Sequence, residues 1–307
     1  CACLVGSEMC IRDRSNIMEE KVKKQKFLQL QFCMLLLLCT LLPDLGSIIG
    51  IPDFDIPVFC CKLVGIIGGA MALYSFHKEA GPVPTPFLAI AGGGMLIALL
   101  TLIPDMPGWL DYIALVALLV ALFMSKGNLG IQWKSWGSQG AYLILIAILL
   151  HVYDGIGDTT MTGIAALVGL VLYFIGLGKL KDSLDADGVK GVSRLKIAVI
   201  LGIVAVIFGW IPLLGGIIAG ILLIIGFIFE FLGYGNMKQS VSLGTEGQEG
   251  AGKLRISMIV LLVAAVIDLF PLTGMIVGLI SLVALYLVFK GWTMVLLGLE
   301  NEVEKTA

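Results

Sequence analysis

The chain has 307 residues, of which 59% are hydrophobic and 14% are charged, with a formal net charge of −2. A soluble domain carries charged residues at about a quarter of its positions. The charge is therefore too sparse to cover an aqueous surface, and a mean hydropathy of +1.03 indicates that a lipid bilayer solvates much of the chain. Charged residues fall in short runs between apolar segments, which excludes a nucleic-acid-binding surface.

The first residues are set apart from the rest. The string from Ser7 to Arg14 resembles a translated sequencing adapter. We therefore interpret residues 1–17 as a non-native leader and start the fold prediction at Met18. Residues 18–26 form a basic arm. The cysteines beyond the arm lie inside apolar runs without metal-ligand spacing, so we expect them to pack as small hydrophobic residues.

Ten apolar runs follow in chain order. Each is too long for a strand and lacks the alternation of a strand, so each predicts a helix. The runs are Phe27–Leu42, Ile56–Phe76, Phe87–Ile103, Trp109–Met124, Ala141–Tyr153, Met161–Leu180, Ile197–Ile211, Leu213–Leu232, Ile256–Phe270 and Leu272–Phe289. Proline, aspartate or glycine separates the two members of each pair. The sequence predicts an all-α integral membrane protein of about ten short transmembrane helices in five αα-hairpins.

The predicted membrane domain extends over residues 27–298 and is followed by an acidic tail at 299–307. Several runs hold only 13 to 16 residues. Such helices measure about 20–24 Å, which is less than the roughly 30 Å hydrocarbon core. A half-crossing pair is the alternative at Ala141–Tyr153, so eight spans remain open beside the favoured ten.

Basic residues are segregated along the chain. From Met18 onward, 17 of the 18 Lys and Arg residues lie in the arm, in the connections between hairpins or after the last helix, and the turns inside hairpins carry none. The positive-inside rule predicts that this basic side is cytoplasmic, and an even number of spans places both termini there. We expect a multi-pass protein of the cell membrane, with a bacterial inner membrane as the favoured location.

The hairpins are similar to one another, which predicts tandem repeats. Their predicted units extend over residues 27–77, 87–125, 140–180, 195–235 and 254–298. The last two align at an offset of 59, where Leu195-Lys196-Ile197 matches Leu254-Arg255-Ile256. The third ends like the fourth, because Phe174–Gly178 parallels Phe231–Gly235. Two-span units keep one orientation, so the repeats are predicted to be parallel and not inverted.

A short pattern extends this comparison. An apolar run, Ile-Pro-x-x-Gly-Gly at Ile211–Gly216, and a second glycine-rich run follow one another. The pattern resembles small multi-pass membrane proteins grouped under domains of unknown function. The resemblance covers residues 195–290 and implies no activity.

Enzyme and cofactor motifs are absent from the sequence. It has no phosphate-binding Gly-rich loop, no His-Glu-x-x-His and no Gly-x-Ser-x-Gly. His77 and His151 are the only histidines, which excludes a histidine-rich metal or haem site. We therefore expect no enzymatic activity and no cofactor.

Glycines at helical spacing predict close helix packing. Small residues four apart let backbones approach where lipid offers no hydrophobic drive. The pairs are Gly65 and Gly69, Gly216 and Gly220, and Gly274 and Gly278. Packing within the chain is the main interpretation, and an interface with a second copy or another membrane protein is the alternative. In contrast, Gly244–Gly252, rich in Gly and Glu, predicts a flexible linker.

Ionisable residues inside the apolar runs are the functional candidates. Lys62 is expected to reach outward and pair with Asp53 or Asp55, with an internal substrate or ion site as the alternative. Glu230 and Lys290 have a similar register in the last two hairpins. They are predicted either to form an ion pair or to reach the membrane interface separately.

His151 and Asp268 each lie three residues before a turn. If they faced one cavity, the carboxylate would raise the pKa of the imidazole and form a proton-responsive couple. The alternative is that both reach headgroup water.

Two function classes follow. A structural or interaction protein of the membrane is favoured because charge inside the spans is sparse. A transporter or channel for a small solute or ion is the alternative.

Overall fold

A computed structural model describes residues 20–38, 56–79, 82–103, 106–107, 109–154, 160–209, 211, 214–268 and 274–306. Within these helices, side-chain surroundings are described except at 56–61, 126, 128, 149, 151–154, 160–166, 268, 274–275, 278–279, 282 and 303–306. The turns around Pro43 and Pro271, together with Asp53 and Asp55, lie outside the described residues.

Within the described ranges the chain is helical and contains no strand. Residues 20–38 form α1. The helices that follow are α2 (Ile56–Glu79), α3 (Thr85–Leu100), α4 (Trp109–Asn128), α5 (Trp136–Asp154), α6 (Thr160–Lys181), α7 (Ala186–Gly209), α8 (Leu214–Gln239), α9 (Gly244–Asp268) and α10 (Gly274–Thr306). A single 3-10 turn, Val241–Leu243, precedes α9. The predicted fold class is confirmed to this extent.

Four described helices are long and apolar enough to cross a membrane, judged by length and composition. They are Ala186–Gly209, Leu214–Gln239, Val241–Ile267 and Val283–Glu302. Large apolar side chains also remain exposed elsewhere, including Phe123 at 84% and Tyr74 at 67%. Exposing so much apolar surface to water would be unfavourable, which supports contact of these helices with lipid.

The chain divides into two compact units. Unit 1 comprises the residues up to Gln132 together with Leu149–Gly169, and unit 2 comprises Trp133–Ile148 together with Leu170–Ala307. The two units are described separately below.

Unit 1 is built on α1 to α4. Its core contains large side chains that exclude water almost completely, among them Phe27, Leu30, Met34, Phe76 and Phe87. The arm predicted from the basic residues continues into α1. There Lys24 is paired with Glu20 at 2.9 Å, and Lys26 contacts Glu79 of α2 at 3.3 Å.

Unit 2 contains helices that extend well beyond their apolar runs. Helix α7 begins at Ala186, about three turns before the predicted Ile197, and α10 continues to Thr306 through the acidic tail. The linker prediction for Gly244–Gly252 is wrong, because this segment forms the first turns of α9. Gly244 opens that helix with φ of 62°, a left-handed conformation that glycine adopts without strain.

Candidate functional site

In unit 2, helices α7 and α8 meet through two glycines. A Cβ placed on Gly191 would lie 2.8 Å from the Gly233 carbonyl oxygen and 2.7 Å from Met237 Cγ. A Cβ on Gly233 would lie 3.0 Å from both the Gly191 oxygen and Leu195 Cδ2. A Cβ at Gly191 would overlap the α8 backbone, and one at Gly233 would be tighter than an ordinary contact, so the two backbones are in direct contact.

The same arrangement recurs between α9 and α10. A Cβ on Gly250 would lie 2.5 Å from the Gly291 oxygen and 2.9 Å from the Val295 nitrogen. A Cβ on Gly291 would lie 2.7 Å from Leu254 Cγ. Leu254 therefore has the place against Gly291 that Leu195 has against Gly233.

A third example joins α5 and α6. A Cβ on Gly140 would lie 2.6 Å from the Gly176 oxygen and 2.7 Å from the Leu180 nitrogen. A Cβ on Gly176 would lie 2.7 Å from Ile144 Cγ1. In all three hairpins a glycine and an aliphatic residue four positions later meet one glycine of the second helix. We call this arrangement the glycine contact.

The glycine contacts lie at one end of the hairpins, which we call the basic end. This end is defined by Lys179, Lys181, Lys190, Arg194, Lys238 and Lys253, which lie near the ends of α6 and α8 or the beginnings of α7 and α9. Further from the basic end the helices are at first less tightly packed. A Cβ on Gly226 would lie 3.4 Å from the Ala198 oxygen, and a Cβ on Gly202 would have no atom within 4 Å. A close approach of α7 and α8 is thus next to the basic loops, and a second one lies at the opposite end, where a Cβ on Gly215 would overlap the Phe208 carbonyl.

The structure places the glycines predicted from spacing in different surroundings. In unit 1, a Cβ on Gly65 would lie 2.7 Å from Leu37 Cγ of α1, and one on Gly69 would lie 2.7 Å from Met95 Cε of α3. These two glycines do pack inside the chain. Gly216 and Gly220 meet no atom within 4 Å in the described part of unit 2. The packing expected of this pair within the chain is therefore absent there, because both face outward from α8.

Gly274 and Gly278 are backbone positions of α10. The surroundings of Gly278 and of the first two residues of α10 lie outside the described residues, and so does the packing predicted for this pair.

Asp185 connects two loops at the basic end. Its Oδ1 accepts hydrogen bonds from the Gly188 amide at 3.0 Å and from Ser240 Oγ at 2.7 Å. Its Oδ2 accepts one from the Val241 amide at 2.7 Å, and its own amide donates to Ser242 Oγ at 2.8 Å. The Asp185 side chain therefore caps the first turn of α7 and at the same time binds the loop that precedes α9.

The Asp185 carboxyl has a pKa below its ordinary value. Burial acts to raise this pKa, but hydrogen bonds from Ser240, Gly188, Val241 and Ser242 outweigh it, because each stabilises the charged form. Asp185 was not identified from the sequence, because it lies outside the apolar runs. An aspartate three residues before Gly188 at a helix start is the signal that predicts a cap.

Lys62 forms an ion pair with Asp111. The Lys62 ammonium of α2 lies 2.8 Å from Asp111 Oδ1 in the first turn of α4, and the two side chains are 10% and 31% exposed. The partners predicted for Lys62, Asp53 and Asp55, lie outside the described residues. Asp111 was not predicted as a partner of Lys62, because the two residues lie 49 positions apart in sequence and only the folded structure brings them together.

Glu230 and Lys290 each have another neighbour. Glu230 Oε1 accepts a hydrogen bond from Tyr234 Oη one turn later on α8, at 3.0 Å. The Lys290 ammonium lies 5.6 Å from the centre of the Tyr286 ring on its own helix. No ion pair between Glu230 and Lys290 occurs in the described part of unit 2.

A small polar cluster surrounds Glu230. Tyr173 of α6 lies near the Tyr234 hydroxyl, and the Tyr234 ring meets Trp292 of α10 edge-on with centroids 6.2 Å apart. The cluster thus joins three helices of unit 2. Tyr173 and Tyr234 were not identified from the sequence, where Tyr173 is an isolated aromatic residue of an apolar run and Tyr234 lies two residues after the end of another.

His151 and Asp268 are backbone positions of α5 and α9, and the predicted couple between their side chains lies outside the described residues. Among the side chains that are described, no group of three or more His, Cys, Asp or Glu residues could hold a metal ion.

No protein-family model matches the sequence, and no curated protein and no solved structure matches it either.

Proposed function

We propose that the chain is a structural or interaction protein of the membrane, built from parallel tandem hairpins. The observation that carries the proposal is the glycine contact, which has the same geometry between α5 and α6, α7 and α8, and α9 and α10. Backbone-to-backbone packing leaves no space for a solute between the paired helices at this level. Tight packing inside each hairpin favours a scaffold over a conduit.

Ten spans in five hairpins, with both termini in the cytoplasm of a bacterial inner membrane, complete the proposal. Its support is the segregation of basic residues to one set of connections, together with the four helices long enough to cross a membrane. Partners of a scaffold would be other membrane segments, either a second copy or another protein.

Transport of a small solute or ion is the second candidate function. The Glu230, Tyr234 and Tyr173 cluster favours it, because polar side chains at helix depth mark transport paths in many membrane proteins. Lys62 weighs against it, since Asp111 already neutralises its charge.

Flux through proteoliposomes separates the two candidates. The purified chain is reconstituted into vesicles, and the movement of protons, K⁺, Cl⁻ and small neutral solutes is compared with that of protein-free vesicles. The scaffold proposal predicts no excess flux in any of these measurements. Excess flux that Glu230→Gln abolishes, while a folded Lys190→Gln control retains it, would establish transport instead.

Assembly is measured in parallel. The chain is extracted from its membrane in polymer nanodiscs without detergent, and the particle mass is determined. A scaffold predicts a discrete particle larger than one copy, which contains either further copies or a stoichiometric second protein. A monomer of 32.7 kDa as the sole particle contradicts the proposal.

A further inference from the structure

Unit 2 has two places where a basic side chain of one hairpin reaches the preceding hairpin, from α7 to α6 and from α9 to α8, and we call these places the crevices. In each, the first helix of one hairpin extends a basic side chain onto the second helix of the preceding hairpin. The Lys196 ammonium of α7 lies 4.0 Å from the position of a Cβ on Gly178 of α6. The Arg255 guanidinium of α9 lies 4.2 Å from the centre of the Phe231 ring of α8. Lys196 and Arg255 are also equivalent positions in the offset of 59.

Both cations are available to an anion from outside. Within the described residues, no carboxylate lies at ion-pair distance from Lys196 or Arg255. Two neighbouring lysines are paired, Lys190 with Asp187 at 3.6 Å and Lys253 with Glu249. Other cations of this end bind neutral groups inside their own hairpin, as Arg194 does with Asn236. Lys196 and Arg255 differ from these because they reach onto the preceding hairpin.

Each of these contacts has exposed aliphatic side chains within about two turns along the helix that the cation reaches, and we call these side chains the aliphatic wall. On α6 it consists of Val171 and Ile175, which are 57% and 47% exposed and one turn apart. On α8 the equivalent pair, Ile228 and Leu232, is 49% and 43% exposed. Each cation is also followed on its own helix by an exposed isoleucine, Ile197 or Ile256. A cation at the helix end and an aliphatic wall beyond it are thus present twice.

We propose that these two crevices are equivalent binding sites for anionic phospholipid, with the lipid phosphate on Lys196 or Arg255 and an acyl chain along the aliphatic wall. A phosphodiester offers oxygens that accept charge-assisted hydrogen bonds from an ammonium or a guanidinium. The wall selects a lipid over free phosphate, because an inorganic anion gains nothing from exposed aliphatic side chains. The inference is independent of whether the chain is a scaffold or a transporter.

Native mass spectrometry of the full chain tests the proposal. The protein is purified in detergent and titrated with phosphatidylglycerol or with phosphatidylcholine of the same acyl chains. We expect up to two bound phosphatidylglycerol molecules and weaker binding of phosphatidylcholine. Arg255→Gln and Lys196→Gln should each weaken one of the two binding events about fivefold, as one basic residue near a membrane surface typically contributes.

Lys190→Gln is the matched control, since Lys190 lies at the same end but is exposed and paired, and it should leave lipid binding unchanged. Each variant is first shown to unfold at the wild-type temperature without added lipid. Equal binding of both lipids by the wild type, or full phosphatidylglycerol preference in the Lys196→Gln and Arg255→Gln double variant, would overturn the proposal. Displacement of the lipid by millimolar inorganic phosphate would also overturn it, because the ligand would then be a soluble anion.

Discussion

One carboxylate, that of Asp185, holds together the start of α7 and the loop before α9. It does so with three hydrogen bonds accepted from groups 3 to 56 residues away in sequence. An aspartate at a helix start usually serves its own helix alone. Here the same group also fixes the connection between two hairpins of unit 2.

Replacing Asp185 by Ala should lower the free energy of unfolding by about 1 kcal/mol or more, since both the cap and the link between loops are lost. Thermal unfolding in detergent measures this change. The matched control is Asp187→Ala, which removes an exposed carboxylate from the same turn. Equal effects of the two variants would contradict the role of Asp185.

The stability that Asp185 contributes should also depend on pH. Its pKa is lowered in the folded protein, so its contribution is complete above the unfolded pKa of about 4 and is lost as the pH falls through the folded value. The difference in unfolding temperature between the wild type and Asp185→Asn should therefore be constant from pH 7 to about pH 5 and decrease below about pH 4. A difference that grows on acidification would show that another group is responsible.

Lys62 and Asp111 neutralise each other between α2 and α4 of unit 1. Lys62→Met leaves the Asp111 carboxylate without its cation, and Asp111→Leu leaves the ammonium without its anion, so each should destabilise the protein. The double variant should recover much of this loss, because no uncompensated charge remains. A double-mutant cycle on the unfolding temperature measures the coupling, and strictly additive effects would mean that the pair contributes nothing.

At the scale of the helix, the glycine contacts are sensitive to a single methyl group. Gly191→Ala would place a Cβ 2.7 Å from Met237 Cγ and 2.8 Å from a backbone oxygen, and the backbone cannot move aside cheaply. Overpacking of this kind costs about 1–3 kcal/mol. We expect a lower unfolding temperature for Gly191→Ala in detergent.

Gly202→Ala is the control on the same helix. A Cβ there would meet no atom within 4 Å, so the variant should be neutral or gain up to about 1 kcal/mol from the helix propensity of alanine. A loss of stability as large as that of Gly191→Ala would show that the contact between α7 and α8 is not the cause.

Helices could be predicted from the apolar runs, but their ends could not. Two starts are exceptions. The predicted first residues of α3 and α4 lie within two positions of the observed ones, because Pro84 and Trp109 mark these starts in the sequence. Helix α9 was placed about three turns too late, since Gly247 and Gly250 indicate a linker when composition alone is considered. Their glycine content is instead a packing requirement, which becomes visible only with α10 alongside.

The residues of the glycine contacts, too, could be predicted only in part. Leu195 and Leu254 were aligned from the sequence, and both turn out to contact the glycine of the opposite helix. Gly191 and Gly250 were not identified, because both lie in charged segments before the apolar runs, where the sequence shows no helical periodicity of apolar residues. Which glycines pack and which face outward, as Gly216 does, depends on the partner helix and is not encoded in spacing.

For the molecule as a whole, the distribution of basic residues predicts one topology. Single cysteines are introduced at Gly127, Lys190 and Gln239 on the basic side and at Ile103 and Ile211 on the other, in a chain whose native cysteines are replaced by serine or alanine. We expect a membrane-impermeant maleimide to label the last two in intact cells and the first three only after lysis. Labelling of Lys190→Cys and Ile211→Cys from the same side would contradict a full crossing by α7.

The glycine contacts also bear on how such a chain folds during synthesis. Each joins residues about 40 positions apart, and its partners lie within a single hairpin. Short sequence separation makes contacts fast to form, and folding can proceed as the chain emerges. A hairpin therefore has a close backbone contact in place once its second helix has entered the membrane. Each next pair of helices meets a neighbour that is already assembled, which keeps unpaired helices out of contact with wrong partners.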